Sequence, residues 1–330
     1  MGYIDLHCDT LLQGFLQGAS DIYDLEGTHV NVKRLLSGGA TAQFFAIFFP
    51  RAGEKGGMHC GGTYCGEMLP DLVYFEALHK LLSDSIRAHP EEIVFARNAD
   101  DLRKNAQAGK LSAFLTLEDG RAVQGSMTQL QEFYEQGVRL ITLTWNDANC
   151  FGAPNTRDPV RMQKGLTTFG KEAVRFMQEQ GMIVDVSHLS DGGFWDVAAL
   201  ARKPFVASHS NARSLSPHPR NLTDEMIRAL AAKGGVAGLN LYGPFLQEDA
   251  ASMTSTVERM VAHVTHMYRV GGEDILALGT DFDGVEGVLE IAHPEQMNLL
   301  FDALQSAGFT GRVLDKLQHE NVERVLRETL

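Results

Sequence analysis

Short, nearly continuous apolar runs recur along this chain, separated by amphipathic or loop-like stretches, and that alternation restricts the fold more than any other feature. The runs fall at 3–7 (YIDLH), 41–48 (TAQFFAIF), 112–117 (SAFLTL), 138–145 (VRLITLTW), 182–187 (MIVDVS), 204–208 (PFVAS), 235–241 (GVAGLNL) and 275–280 (ILALGT). Most lack the strict apolar–polar alternation of a half-solvated sheet, as strands do when both faces are covered. Between them, residues 69–88 set Leu69, Leu72, Val73, Leu78, Leu81 and Leu82 at helical spacing. Residues 254–269 do the same with Val257, Met260, Val261, Val264, Met267 and Tyr268. Thr167 to Lys171 opens a further helix expected to run to Gln180 and to stop at Gly181. Parallel strands need a crossover, so strand–helix alternation implies a parallel sheet. Eight such strands predict an α/β fold of the (β/α)8, or TIM, barrel type, with 1–330 as one domain. An open doubly wound sheet is the alternative, but no GxGxxG follows an early strand, which leaves a dinucleotide site without support.

Two connections are long. Residues 49–68 and 146–165 follow the second and fourth strands and are rich in Gly, Pro and Asn, which reads as lids over the mouth of a barrel. The first contains His59, Cys60 and Cys65 in GGMHCGGTYCG. Only two thiols are close there and the spacing is not CxxC, so the stretch is read as a loop rather than a structural zinc site.

Composition excludes several partners. Asp and Glu number 42 against 29 Lys and Arg, for a formal net charge of −13, and such a surface repels nucleic acid and anionic membranes. No apolar run reaches the roughly 18 residues needed to span a bilayer. The N-terminus, MGYIDLHCDT, has no basic region followed by an apolar one, so a cytoplasmic protein with reduced cysteines is expected.

The chemistry lies in what ends the strands. His7 and Asp9 close the first, Glu118 the third, His188 the fifth, His209 the sixth and Asp281 the eighth. In a barrel all strand C-termini open at one mouth, so these six side chains can converge. Imidazole nitrogen and carboxylate oxygen are zinc ligands. Two zinc ions about 3.5–4 Å apart can share a hydroxide and clamp both sides of a hydrolytic transition state. Glu118 can bridge them through its two oxygens, with His7 and Asp9 on one ion, His188 and His209 on the other, and Asp281 as proton shuttle. His79, His89, His263, His266 and His319 fall in helical patterns and are read as surface or core-edge residues; His29, His59, His218 and His293 lie in loops, with His218 close to Arg220.

At these residues the sequence resembles the membrane (renal) dipeptidase family of the amidohydrolase superfamily. The resemblance spans nearly the whole chain, through DLHCDT, GVRLITLTWNDAN, GLTTFGKEAVRFMQEQGMIVDVSHLS, ASHSNARSLSPHPRNLTDEMI, LGTDFDGV and NVERVLRE. It implies a barrel with two zinc ions, His7, Asp9 and Glu118 holding one and Glu118, His188 and His209 the other. It implies that Asp281 is the acid/base, that Arg220 in HPRN takes the substrate's terminal carboxylate, and that the substrates are dipeptides, including those with a C-terminal D-residue. Mammalian members carry a His in a TLTH block that contacts the substrate; this sequence reads TLTW, with Trp145 at that place and Asn146 or Asn149 as substitute donors or as loop caps. The departure bears on substrate range rather than reaction type. N-acyl-(D-)amino acid deacylation and β-lactam hydrolysis would use the same metal site, whereas deaminases of the superfamily usually show HxH on the first strand. Mammalian members are exported and lipid-anchored, and nothing in this sequence points that way. A homodimer is left open.

Overall fold

The computed structural model describes residues 2–52, 57–60, 63–67, 69–249 and 251–330, with the main chain only over 51–67. Eight parallel strands close on themselves: β1 Tyr3–Cys8, β2 Ala40–Phe48, β3 Leu111–Glu118, β4 Val138–Thr142, β5 Ile183–Asp185, β6 Val206–Ala207, β7 Val236–Leu239 and β8 Leu276–Leu278. Around the ring they run β2, β1, β8, β7, β6, β5, β4, β3, and β3 pairs back onto β2 from Ala42↔Ser112 to Phe48↔Glu118. The sequence pattern therefore gives the barrel, and the open sheet is excluded.

The first three strands extend one or two residues beyond their apolar runs, whereas the last five are shorter than theirs, and the reason is chemical at the mouth. Asp185 ends β5, and its Oδ1 accepts from Ser187 N at 3.0 Å and Ser208 N at 2.8 Å. Asp5 likewise accepts from Thr280 N at 2.8 Å and Thr280 Oγ1 at 2.7 Å. Buried carboxylates thus take over donors that a longer ladder would have paired. The chain can then turn sharply, and His188 and Asp281 sit at φ 65° and 62°. Left-handed backbone at a residue other than glycine costs on the order of 1–3 kcal/mol and gathers at functional sites.

One buried cluster draws on every strand, including Leu6, Phe44, Phe114, Leu140, Ile183, Val206, Val236 and Ala277, and is closed by Val322, Val325 and Leu326 of the helix Asn321–Thr329. Side chains on a strand repeat faces every second residue. The face bearing Phe114, Val236 and Ala277 therefore returns four positions later as Glu118, Asn240 and Asp281. An apolar plug fills the barrel and polar groups crown it.

The predicted helices form as Asp71–Ala88, Thr168–Gln180 and Val257–Gly271, the second with Thr167 accepting from Gly170 N and Gly181 at φ 83°. Two features differ from expectation. A three-residue strand, Ile93–Phe95, pairs with the first half of β3 while β4 pairs with its second half. Residues 51–67 are not a plain loop but three short antiparallel strands, Arg51–Ala52, Gly57–Cys60 and Thr63–Glu67. Both pairings rest on main-chain hydrogen bonds, which need no apolar run. The side chains of His59, Cys60 and Cys65 lie outside the described residues.

Candidate metal centre

The six side chains that end the strands meet at the mouth. Glu118 is at the centre. Its Oε1 lies 3.0 Å from His188 Nε2 and 3.4 Å from His209 Nε2, and those two nitrogens are 3.2 Å apart. Its Oε2 lies 3.3 Å from His7 Nε2, which is 3.5 Å from Asp9 Oδ2 and 3.8 Å from Asp281 Oδ1. Ligands about 2.0–2.1 Å from a tetrahedral ion are about 3.3–3.4 Å from one another, so these separations are those of donors around a shared cation. Three triads can hold one: Glu118 with His188 and His209; His7 with Asp9 and Glu118; and His7 with His209 and Asp281. His7 Nε2 and Asp9 Oδ1 are buried with no hydrogen-bond partner, a costly state that a cation would relieve. Gly284 leaves the space, since a Cβ there would fall 2.2 Å from Asp9 Oδ2 and 2.7 Å from Asp281 Oδ1.

Electrostatics point the same way. Burial raises the Glu118 carboxyl, but the His7 charge and the close His188, His209 and His7 imidazoles outweigh it and hold the group well below its ordinary range. Burial lowers the His7 imidazole, yet the Glu118 and Asp9 carboxylates keep it protonated well above its ordinary value. Burial, with Arg220 as a lesser cause, pushes His188 down to about 4, and burial with the His7 charge holds His209 well below its ordinary value. Burial and the charges of Asp9 and Glu118 push Asp281 up to about 7 against the pull of His7. The cluster thus holds a proton where a metal ion would displace one.

A model of the membrane dipeptidase family, peptidase family M19, matches residues 1–330. The chain belongs to that family. Membership makes it a metallopeptidase that hydrolyses a peptide bond. A crystallised metallopeptidase from Rhodobacter sphaeroides, bound to a phosphinate mimic of the dipeptide L-Ala-D-Ala, superposes with a TM-score of 0.89 at 27% identity, covering 100% of this chain and 99% of that one. A second solved structure, a dipeptidase of the same family, gives 0.89 at 28% identity, covering 100% and 98%. Among curated sequences, dipeptidase tcpJ of Claviceps purpurea is 30% identical over 311 residues, 92% of this chain and 70% of its own length. Among the described residues no helix is long and apolar enough to cross a membrane.

A cavity of about 500 Å³ stands over the triads of this dipeptidase, and Arg220, Trp145 and Asn146 all line it, as does His218. Arg220 is buried. Its Nη1 donates to Ser210 Oγ at 2.8 Å and its Nη2 to His209 O at 3.0 Å, while Nε has no hydrogen-bond partner. Among the described residues it forms no ion pair, and Asp224, which opens the helix after its loop, pairs with His266 at 2.7 Å. Burial pushes the guanidinium down to about 10, so it stays charged at working pH. Asn149 does not line the cavity: its Nδ2 donates to Asp119 Oδ1 at 2.6 Å and Leu143 O at 2.8 Å, and its Oδ1 accepts from Phe151 N at 2.8 Å. It caps the loop, and Asn146 is the one of the pair facing the cavity.

Sequence reasoning missed the groups that hold these residues in place. Asn240, at the mouth end of β7, donates to Asp281 Oδ2 at 2.8 Å. Ser208 Oγ lies 2.6 Å from His209 Nδ1 and donates to Asp185 Oδ2 at 2.6 Å. A serine that gives its proton to the carboxylate accepts the Nδ1 proton, which leaves His209 Nε2 with its lone pair toward Glu118 and the metal position. The signal was an Asp inside an otherwise apolar strand. His263, read as a surface or core-edge residue, is fully buried. Its Nδ1 accepts from Ala212 N at 3.1 Å and its Nε2 donates to Leu246 O at 2.9 Å, which ties the loop of Arg220 to the helix Val257–Gly271.

Proposed function

We propose that the protein is a binuclear zinc dipeptidase, one catalytic domain over 1–330, whose metals are joined by Glu118. The observation that carries the reading is that the two oxygens of Glu118 face two different buried donor pairs, His188 with His209 and His7 with Asp9. All-nitrogen-and-oxygen donors at these spacings suit zinc. Asp9, Glu118 and Asp281 bring three negative charges, which lets two dications lie close together. When bound, zinc would supply Lewis acidity at the scissile carbonyl and make the attacking water more acidic.

The chain's own residues do the rest. As the C–O bond forms, Asp281 takes the proton of the attacking water. As the C–N bond breaks, it gives that proton to the departing nitrogen, which is a poor leaving group without it. Asn240 keeps the Asp281 carboxylate aimed. Arg220, buried and without a carboxylate partner, receives the substrate's terminal carboxylate and so restricts turnover to short substrates with a free C-terminus. The phosphinate mimic of L-Ala-D-Ala in the Rhodobacter sphaeroides relative supports acceptance of a C-terminal D-residue here too. A screen of L-Xaa-L-Xaa and L-Xaa-D-Xaa dipeptides against N-acyl amino acids and β-lactams tests the assignment. Dipeptides should be turned over best, with activity lost on chelation and restored by zinc. Preferential turnover of N-acyl amino acids would replace it with the deacylase reading.

A further inference from the structure

The barrel order carries the argument from the carboxylate to the opposite wall of the cavity. Arg220 follows β6, and β2 lies four strands away on either path around the ring, directly across the mouth. With the C-terminal carboxylate at Arg220 and the scissile carbonyl over Glu118, the N-terminal residue of a dipeptide is carried toward the β2 side. That side is apolar. Phe48 ends β2, Leu12 follows β1, and both are buried cavity-lining residues. Trp145, half-buried after β4, sets its ring edge-on to Phe48 with centroids 4.8 Å apart, so the two form one continuous aromatic surface. The charge on the β8 side is negative. Asp283 and the exposed Glu286 line the cavity on the β8 side, while Arg220 is the one permanent cation lining it among the described residues.

We infer that this enzyme selects dipeptides by their N-terminal side chain, taking a bulky apolar or aromatic residue against Leu12, Phe48 and Trp145 and rejecting an acidic one. The inference rests on the reading of Arg220 as the carboxylate anchor. Aromatic pairs favour edge-to-face contacts, and a phenyl side chain docked beside Phe48 and Trp145 extends the arrangement already there. Burying such a side chain away from water gives about a ten- to hundredfold advantage in kcat/KM over glycine at the same place. An acidic side chain would sit among carboxylates in a partly desolvated site, and that repulsion sets it below glycine.

The test is a series Xaa-Ala with Xaa as Gly, Leu, Phe or Glu, assayed on the zinc-loaded enzyme. Phe-Ala and Leu-Ala should exceed Gly-Ala by about ten- to a hundredfold in kcat/KM, and Glu-Ala should fall below it. Phe48→Ala and Trp145→Ala should each shrink the Phe-to-Gly ratio severalfold. Arg220→Met should lower all four substrates alike and leave the ratio standing. A flat wild-type series, or one led by Glu-Ala, overturns the inference without any variant having to fold, and leaves the dipeptidase reading intact. An Arg220→Met that changes the Phe-to-Gly ratio but not the dependence on a free carboxylate would overturn the assumed orientation, and the inference with it. Failure to hydrolyse any member would overturn the dipeptidase reading itself and this inference along with it.

Discussion

The two donor pairs that share Glu118 are built differently. On one side, His209 is braced from behind by Ser208 and the buried Asp185, which also receives Thr142 Oγ1 at 2.6 Å. On the other, His7 Nδ1 and Asp9 Oδ1 are buried without a hydrogen-bond partner, and the His7 ring rests on that of His209 at 3.9 Å. His209 is therefore held by the fold before any ion arrives; His188, whose Nδ1 is likewise buried without a hydrogen-bond partner, and the second pair depend more on the ion for their satisfaction. Asp281, the proposed acid/base, belongs to the second side, 3.8 Å from His7, while Arg220 belongs to the first, tied to His209 O. On the proposed reading, one side anchors the ligand and the other carries the proton.

Substitutions should separate along that division. The largest effect is expected at Asp281→Asn, which keeps the shape and removes the proton acceptor: kcat should fall on the order of a hundredfold or more, with both metals retained. A kcat within about twofold of wild type would move the acid/base role elsewhere. Arg220→Met should act on the opposite side and on binding. For free dipeptides kcat/KM should drop roughly ten- to a hundredfold, mostly through KM, with little change for the same dipeptides amidated at the C-terminus. Equal losses on both would indicate a damaged loop.

Asp185→Asn sharpens the comparison most, because it touches neither substrate nor metal. Losing the acceptor behind Ser208 should weaken zinc at the His188–His209 pair by about ten- to a hundredfold in a chelator competition, and leave the weaker ion nearly unaffected. Equal weakening of both ions would show that the two sides are not braced differently.

The six strand-end residues were legible in the sequence because a His or carboxylate closing an apolar run is visible once the runs are aligned on one mouth. The bracing was not. Asn240 directly follows β7, but an amide is neither an expected zinc ligand nor a charge, so it does not stand out. Asp185 lies within an apolar run, and only the pairing of β5 with β6 brings it to Ser208. Strand Ile93–Phe95 is too short for a periodic signal. His263 shows how residue type misleads: its spacing from Met260 and Met267 puts it on the helix's buried face, where it meets the Arg220 loop.

The smallest expected effect concerns that histidine. Burial pushes His263 down to about 4 from the ordinary 6.5, so its neutral form stabilises the fold fully above about pH 6.5 and this contribution is lost as pH falls from there toward 4. Between pH 7 and pH 5 the loss is about 2 kcal/mol at most. Urea unfolding of His263→Gln should show a correspondingly shallower decline over the same interval than wild type. Parallel declines would mean that His263 does not titrate on unfolding.

The claim on which the others depend is that Glu118 joins two ions. Zinc titration into metal-free protein, with activity followed alongside and anomalous diffraction locating the ions, measures it directly. The account predicts two zinc ions per chain, one on each side of Glu118, with full activity reached only as the second site fills. A fully active enzyme holding a single tight ion would contradict it.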